Sequence, residues 1–228
     1  MASHRTHGNA IADDALNRLL EGNRRFACGA AVHPNDTRER RIQVASTPRP
    51  FAMILGCADS RVPPELVFDC GLGDLFVLRT GAQAIDHTVL ASLEFGVTEM
   101  HIPFLMVLGH ERCRAVEAAI GSLARNSFAD AHMHTLVKSL RPAVQQAKGQ
   151  SGDLLRNAVR AHVELTVNRL KNSLLLAEAV DSGKLTIAGA CYALETGVVE
   201  ITVQPHCKME KTEVFELDWS IHESKRNQ

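Results

Sequence analysis

The chain has 228 residues, 45% of them apolar and 22% charged, with a formal net charge of −1. That suffices for one α/β domain with a sizeable core, or at most two small domains. The near-neutral balance leaves no electrostatic footprint for nucleic acid or a membrane surface, and the longest apolar runs, such as FAMILGCA, are far too short to span a bilayer.

The N-terminal stretch MASHRTHGNAIADDALNRLLEGNRRF has no apolar core of signal-peptide type, so the expected location is cytoplasmic. Ile11, Leu16, Leu19, Leu20 and Phe26 fall near helical spacing and predict a helix over 12–27. Residues 28–49 are polar and proline-punctuated and read as a loop or arm. PFAMILGC (50–57) is a short continuous apolar run, as in a strand buried on both faces. VPPELVFDCGLG follows as a turn and short helix, then DLFVLRTG (74–81) as a second strand. HTVLASLEFGVTEM (87–100) carries a helical stripe through Val89, Leu90, Leu93 and Val97. IPFLMVLGH (102–110) is a third buried strand and RCRAVEAAIGSL (112–123) the helix after it. Residues 124–183 read as helical with a break near KGQSGD, KLTIAGACY (184–192) as a fourth strand, and VVEITVQ (198–204) as an edge strand turning back on it. This alternation predicts a doubly wound, mainly parallel β-sheet flanked by helices, with an N-terminal helical arm. No internal repeat or linker divides the chain. One domain is expected: helix and arm over 1–49, α/β core over 50–204, tail over 205–228.

In open α/β sheets the ligand site lies at the carboxyl ends of the strands. The first strand ends in Cys57-Ala58-Asp59-Ser60-Arg61 and the third in His110-Glu111-Arg112-Cys113. If these strands are neighbours, Cys57, His110 and Cys113 converge, with His110 and Cys113 projecting from one side of a starting helix. Two thiolates and an imidazole with an open fourth position form a zinc site of the catalytic type. Each half also has a plain reading, since a cysteine at a strand end is often only a small core residue. Asp59 and Arg61, two apart, can pair bidentately, either bracing the turn or keeping Asp59 ionised and aimed at a metal-bound water or hydroxide. Such a hydroxide suits attack on a small, uncharged electrophilic carbon. Six cysteines, at 28, 57, 70, 113, 191 and 207, are too dispersed for a disulfide scaffold.

CADSRVPPE, GLGDLFVLRTG, SLEFGV and GHERC, in this order and spacing, resemble the β-class carbonic anhydrases, and the likeness runs through nearly the whole chain. The resemblance implies zinc held by Cys57, His110 and Cys113, with Asp59 and Arg61 as catalytic dyad; in some family members the residue matching Asp59 becomes a further ligand in a closed state, and the sequence leaves open whether it does here. It implies reversible hydration of carbon dioxide to bicarbonate and a proton. It also implies a homodimer or homotetramer, with the N-terminal helix wrapped on the partner and the pocket at the dimer interface. Phe76 and Phe95 align with aromatics that line the family's carbon dioxide pocket; core packing is the other reading of both.

The departures from the family pattern fall around that pocket. Arg114 stands where the family usually has glycine, and Arg79-Thr80-Gly81-Ala82-Gln83 transposes the small residues of the usual R-[NT]-A-G-[NH] loop. Pro48 occupies the place of a glutamine that can donate to bicarbonate, and Gln83 is the candidate replacement. Arg114 either points to solvent or leans over the metal, where it would hold an anion and narrow the entrance. These changes keep two alternatives open: a carbonyl sulfide or carbon disulfide hydrolase on the same zinc, and a catalytically blocked zinc protein whose site Cys191 closes. His206-Cys207 is too compact to be a convincing ligand pair.

Overall fold

The structure, a computed structural model, describes residues 7–125 and 131–205. It opens with helices α1 (His7–Ala27) and α2 (Arg38–Val44), then β1 (Ala52–Cys57), α3 (Pro64–Val67), β2 (Leu75–Thr80), α4 (His87–Thr98), β3 (Phe104–His110) and α5 (Arg114–Arg125). Three helices follow, α6 (Ala131–Lys148), α7 (Leu154–Lys171) and α8 (Leu174–Asp181), and two strands close the fold, β4 (Thr186–Tyr192) and β5 (Val199–Val203). The expected tail beyond Pro205, with His206-Cys207, lies outside the described residues.

The strands form one sheet in the order β2-β1-β3-β4-β5, parallel except for β5, which returns antiparallel on β4. This is the mainly parallel α/β sheet the sequence predicts. β1, β3 and β4 are buried at every residue, as their unbroken apolar runs require, whereas edge strand β2 is only half-buried. Side chains alternate across the sheet. Met53, Leu55, Leu105, Val107 and Ile187 pack with residues of α4 to α8, including Leu93, Val116, Leu140, Val163 and Leu176. Ile54, Phe104, Met106, Leu108 and Ala188 pack on the opposite face with α1 and the α3 region.

Ala12, Ala15 and Leu19 form the buried stripe of α1 on this chain's own sheet. One turn on, buried Asn23 donates from Nδ2 to the carbonyls of Val67 (3.1 Å) and Gly197 (2.8 Å), and its Oδ1 accepts from the Val199 N–H (2.8 Å). Gly22 permits this approach, since a Cβ there would sit 1.8 Å from the Phe68 carbonyl oxygen.

Helix α2 lies in the stretch expected to be loop. Thr37 caps it, its Oγ1 accepting the Arg40 N–H at 3.1 Å, and none of its residues is buried. A helix that buries nothing has no apolar stripe to read. Among the described residues, no helix is long and apolar enough to cross a membrane.

Candidate metal centre

Strands β1 and β3 are neighbours, with Gly56 opposite Leu108, so their carboxyl ends bring Cys57 and His110 together. Cys113 stands immediately before α5. The ligand atoms of Cys57, His110 and Cys113 lie within 4.8 Å of one another, and all three residues are buried. His110 and Cys113 do not share a helical face as expected. His110 ends β3, and the chain reverses through Arg112, at φ 51°, before α5 begins. A left-handed turn, not helical spacing, makes the convergence. That conformation costs a non-glycine residue about 1–2 kcal/mol, and surrounding bonds hold it. The Glu111 N–H donates to the Tyr192 carbonyl (3.0 Å), Arg61 Nη2 donates to the Arg112 carbonyl (3.3 Å), and the Arg112 guanidinium pairs with Glu195.

The Nδ1 of His110 lies 2.8 Å from the Glu111 carbonyl oxygen, which can only accept, so Nδ1 carries the proton. The lone pair is therefore on Nε2, which is buried and has no hydrogen-bond partner among the described residues. Leaving such an atom unpaired costs about 1–3 kcal/mol, a cost that a metal ion on the lone pair removes. The carbonyl fixes the ring's tautomer as partners of metal-binding histidines do. Two sulfurs and one imidazole fit zinc and disfavour magnesium or calcium. The Cys113 thiol, hydrogen-bonded to Cys57, draws the Cys57 thiol well below its ordinary range and is itself pushed up by the same contact. The Ala82 N–H adds a further donor to Cys57 Sγ at 3.3 Å.

Asp59 and Arg61 pair bidentately: Arg61 Nε donates to Oδ1 at 2.9 Å and Nη2 to Oδ2 at 2.8 Å, while the Arg61 backbone N–H donates to Oδ1 at 2.9 Å. The Arg61 hydrogen bonds hold the Asp59 carboxyl far below the usual carboxylate range. Asp59 Oδ2 stands 4.0 Å from His110 Nε2, beside the ligand set but not in it. Arg79, the first residue of the transposed loop motif, ties the Cys57–Asp59 loop to β2: its Nε donates to the Cys57 carbonyl at 2.9 Å and its Nη2 to the Asp59 carbonyl.

The transposed loop forms a 3₁₀ turn, Gly81–Gln83, in which Ala82 (φ 50°) and Gln83 (φ 49°) take left-handed backbone. Gly81 answers to space instead, since a Cβ there would meet Leu136 at 3.2 Å. Gln83 is buried, with its amide nitrogen against Gly109, one residue before His110. His162 of α7 reaches under the turn, its Nε2 2.9 Å from the Ala82 carbonyl oxygen. The sequence signal for His162 is a titratable residue in a stripe of core positions, Val159, Val163, Val167 and Leu170.

The other expected residues sit further out. Phe76 on β2 is half-buried against the helical layer, Phe95 on α4 is 50% exposed, and Arg114 is exposed at the first position of α5. Cys191 lies opposite Gly109 in β4, with its thiol pushed up to about 11 by burial, and does not join the ligand cluster. Cys191, the closer considered for a blocked site, is thus not a fourth member of this ligand set. A cavity of about 300 Å³ between α7 and β4–β5 borders the site at Glu111 without including the three ligands.

A sequence model of the carbonic anhydrase family matches residues 52–199. "Carbonic anhydrase 2" of Mycobacterium tuberculosis is 37% identical over 184 residues, covering 80% of this chain and 89% of that protein. "Carbonic anhydrase" of Mycolicibacterium smegmatis is 36% identical over 196 residues, covering 86% and 94%. The solved structure of a Coccomyxa β-carbonic anhydrase in complex with acetazolamide superposes with a TM-score of 0.66 at 26% identity, covering 83% of this chain and 87% of that one. The chain belongs to the β-class carbonic anhydrase family and is an enzyme of that lyase family.

Proposed function

We propose that this family member catalyses the reversible hydration of carbon dioxide to bicarbonate and a proton, with zinc held by Cys57, His110 and Cys113. The observation that carries the reading is the buried, unpartnered Nε2 of His110, 4.0 Å from a carboxylate that Arg61 keeps ionised. When bound, zinc supplies a Lewis acid that makes a water nucleophilic near neutral pH.

The chain's own residues orient the reaction. Asp59 Oδ2 accepts a hydrogen from water at the site and so directs the oxygen lone pair away from the carboxylate, toward the substrate carbon. Arg61 occupies both carboxylate oxygens, which fixes the carboxylate plane and keeps Asp59 off the ligand triad. Arg79 holds the backbone on either side of this loop, so ligand and acceptor stay in register. Phe76 contributes an apolar wall, and Gln83 packs behind Gly109. Phe95 is half-exposed on the isolated chain, and β2 forms an edge of the sheet unpaired among the described residues; both suit a homodimer or homotetramer in which a second copy covers them. The five described cysteines are all free thiols, which suits the reducing cytoplasm. Arg114, exposed, gives no support to a narrowed or blocked entrance.

The test is stopped-flow carbon dioxide hydration by the zinc-loaded protein at neutral and alkaline pH. Turnover is expected in the wild type, with a fall of about 10²–10⁴ in Asp59→Asn at unchanged zinc content, because the amide can present a donor where an acceptor is needed. Absence of turnover at both pH values with zinc bound overturns the reading. Hydrogen sulfide release from carbonyl sulfide by that same sample would reassign the substrate.

A further inference from the structure

We infer that His162 is a positioning residue for the metal centre: through Ala82 it aims the N–H donor that Cys57 receives. This rests on the reading that Cys57, His110 and Cys113 hold zinc.

Ala82 is gripped from both sides. Its N–H donates to Cys57 Sγ at 3.3 Å, and its carbonyl oxygen lies 2.9 Å from His162 Nε2. A carbonyl only accepts, so Nε2 carries the hydrogen and donates. The N–H and the carbonyl belong to different peptide planes that meet at the Ala82 Cα. One bond fixes each plane, and together they hold Ala82 at φ 50°, ψ 37°, a conformation alanine leaves unless held. Without His162 the 82–83 peptide loses its anchor. Relaxation of the backbone toward negative φ then turns one plane against the other and carries the N–H off the sulfur.

A space-filling role would not need a histidine. The neighbouring inward positions of α7 are Val159, Val163 and Val167, and a leucine would serve among them. Burial also draws the His162 pKa down to about 4, so at neutral pH the ring offers an N–H without adding a charge beside the thiolates.

The test compares wild type with His162→Gln, His162→Asn and His162→Leu. The glutamine amide nitrogen reaches about as far as the imidazole Nε2, whereas that of asparagine stops short. Two readouts apply: zinc affinity by chelator competition, and the thiolate-to-cobalt charge-transfer band of the cobalt-substituted protein. A sulfur that has lost its N–H donor holds its lone pair at higher energy, so the band moves to longer wavelength. Leucine and asparagine are expected to weaken zinc about tenfold, the lower end for partners outside the ligand shell, and to shift the band; glutamine is expected to stay within about threefold, unshifted. Wild-type affinity and an unshifted band in the folded leucine or asparagine variant overturn the role. If leucine fails to fold, the two amides decide alone: they are similarly polar, and equal behaviour overturns the proposal. A wild type that binds neither zinc nor cobalt overturns the metal reading itself, and the inference with it.

Discussion

Two left-handed turns flank the sulfurs of the candidate metal centre, one ahead of Cys113 and one against Cys57, and they are held by different means. The turn at Arg112, ahead of Cys113, lies at the surface. Its ion pair with Glu195 joins side chains that are 62% and 71% exposed, so water and salt compete with it. At the turn beside Cys57, Ala82 and Gln83 are buried, and the imidazole of His162 holds Ala82 from beneath. Strain of similar size is thus restrained on one side in part by an ion pair that salt screens, and on the other by a buried hydrogen bond that salt does not reach. The site depends on both, because Cys57 and Cys113 sit on opposite flanks of His110 in the chain.

The largest expected effect removes what both turns serve. In His110→Ala, zinc should be lost on dialysis, together with all measurable turnover, while both turns stay folded; metal analysis beside circular dichroism checks this. Retained stoichiometric zinc would mean that the thiols alone hold the metal.

Acid should separate the turns next. The folded pKa of His162 is about 4, below its ordinary value near 6.5. The unfolded chain therefore binds the extra proton first. Stability is fully present above about pH 6.5 and is lost toward pH 4, by up to about 1.4 kcal/mol per pH unit. The folded Asp59 pKa is depressed as well, by its Arg61 hydrogen bonds, so its contribution holds through that window and falls only below the ordinary carboxylate range near 4. Urea unfolding of wild type and His162→Gln from pH 7 to 5 should isolate the histidine, whose acid slope glutamine abolishes.

A smaller gain is expected from Ala82→Gly, which meets left-handed backbone without strain but adds freedom to the unfolded chain. The two effects oppose each other, leaving a stabilisation of up to about 1 kcal/mol, read as a rise in Tm. The smallest change should come from Glu195→Gln at the exposed turn, under about 1 kcal/mol and vanishing at high salt; a larger, salt-independent loss would erase the contrast between the turns.

The parts legible in the sequence were those that repeat a pattern. β1, β3 and β4 announce themselves because burial on both faces leaves only apolar residues, and Cys57 and His110 stand out because they interrupt those runs at the site-forming end. Asp59–Arg61 follows from two opposite charges two residues apart, and the bidentate geometry agrees. The bend at Arg112 was illegible because an arginine gives no hint of positive φ. Ala82 hid in the same way, since alanine gives no hint of positive φ either. His162 stayed hidden because its partner is a backbone carbonyl 80 residues away, and a carbonyl carries no side-chain signature.

Asn23 bears on how the molecule opens. With one side chain it joins α1 to the Val67 carbonyl, to the turn at Gly197 and to the first residue of β5, so an early helix and the last described strand are stitched at a single buried amide. Neither can fray without stranding the other's polar groups in an apolar layer. The amides of α1 near Asn23 and those of β5 should therefore exchange with solvent as one cooperative unit, although β5 alone, a short strand at the sheet edge, has the makings of the first piece to come loose.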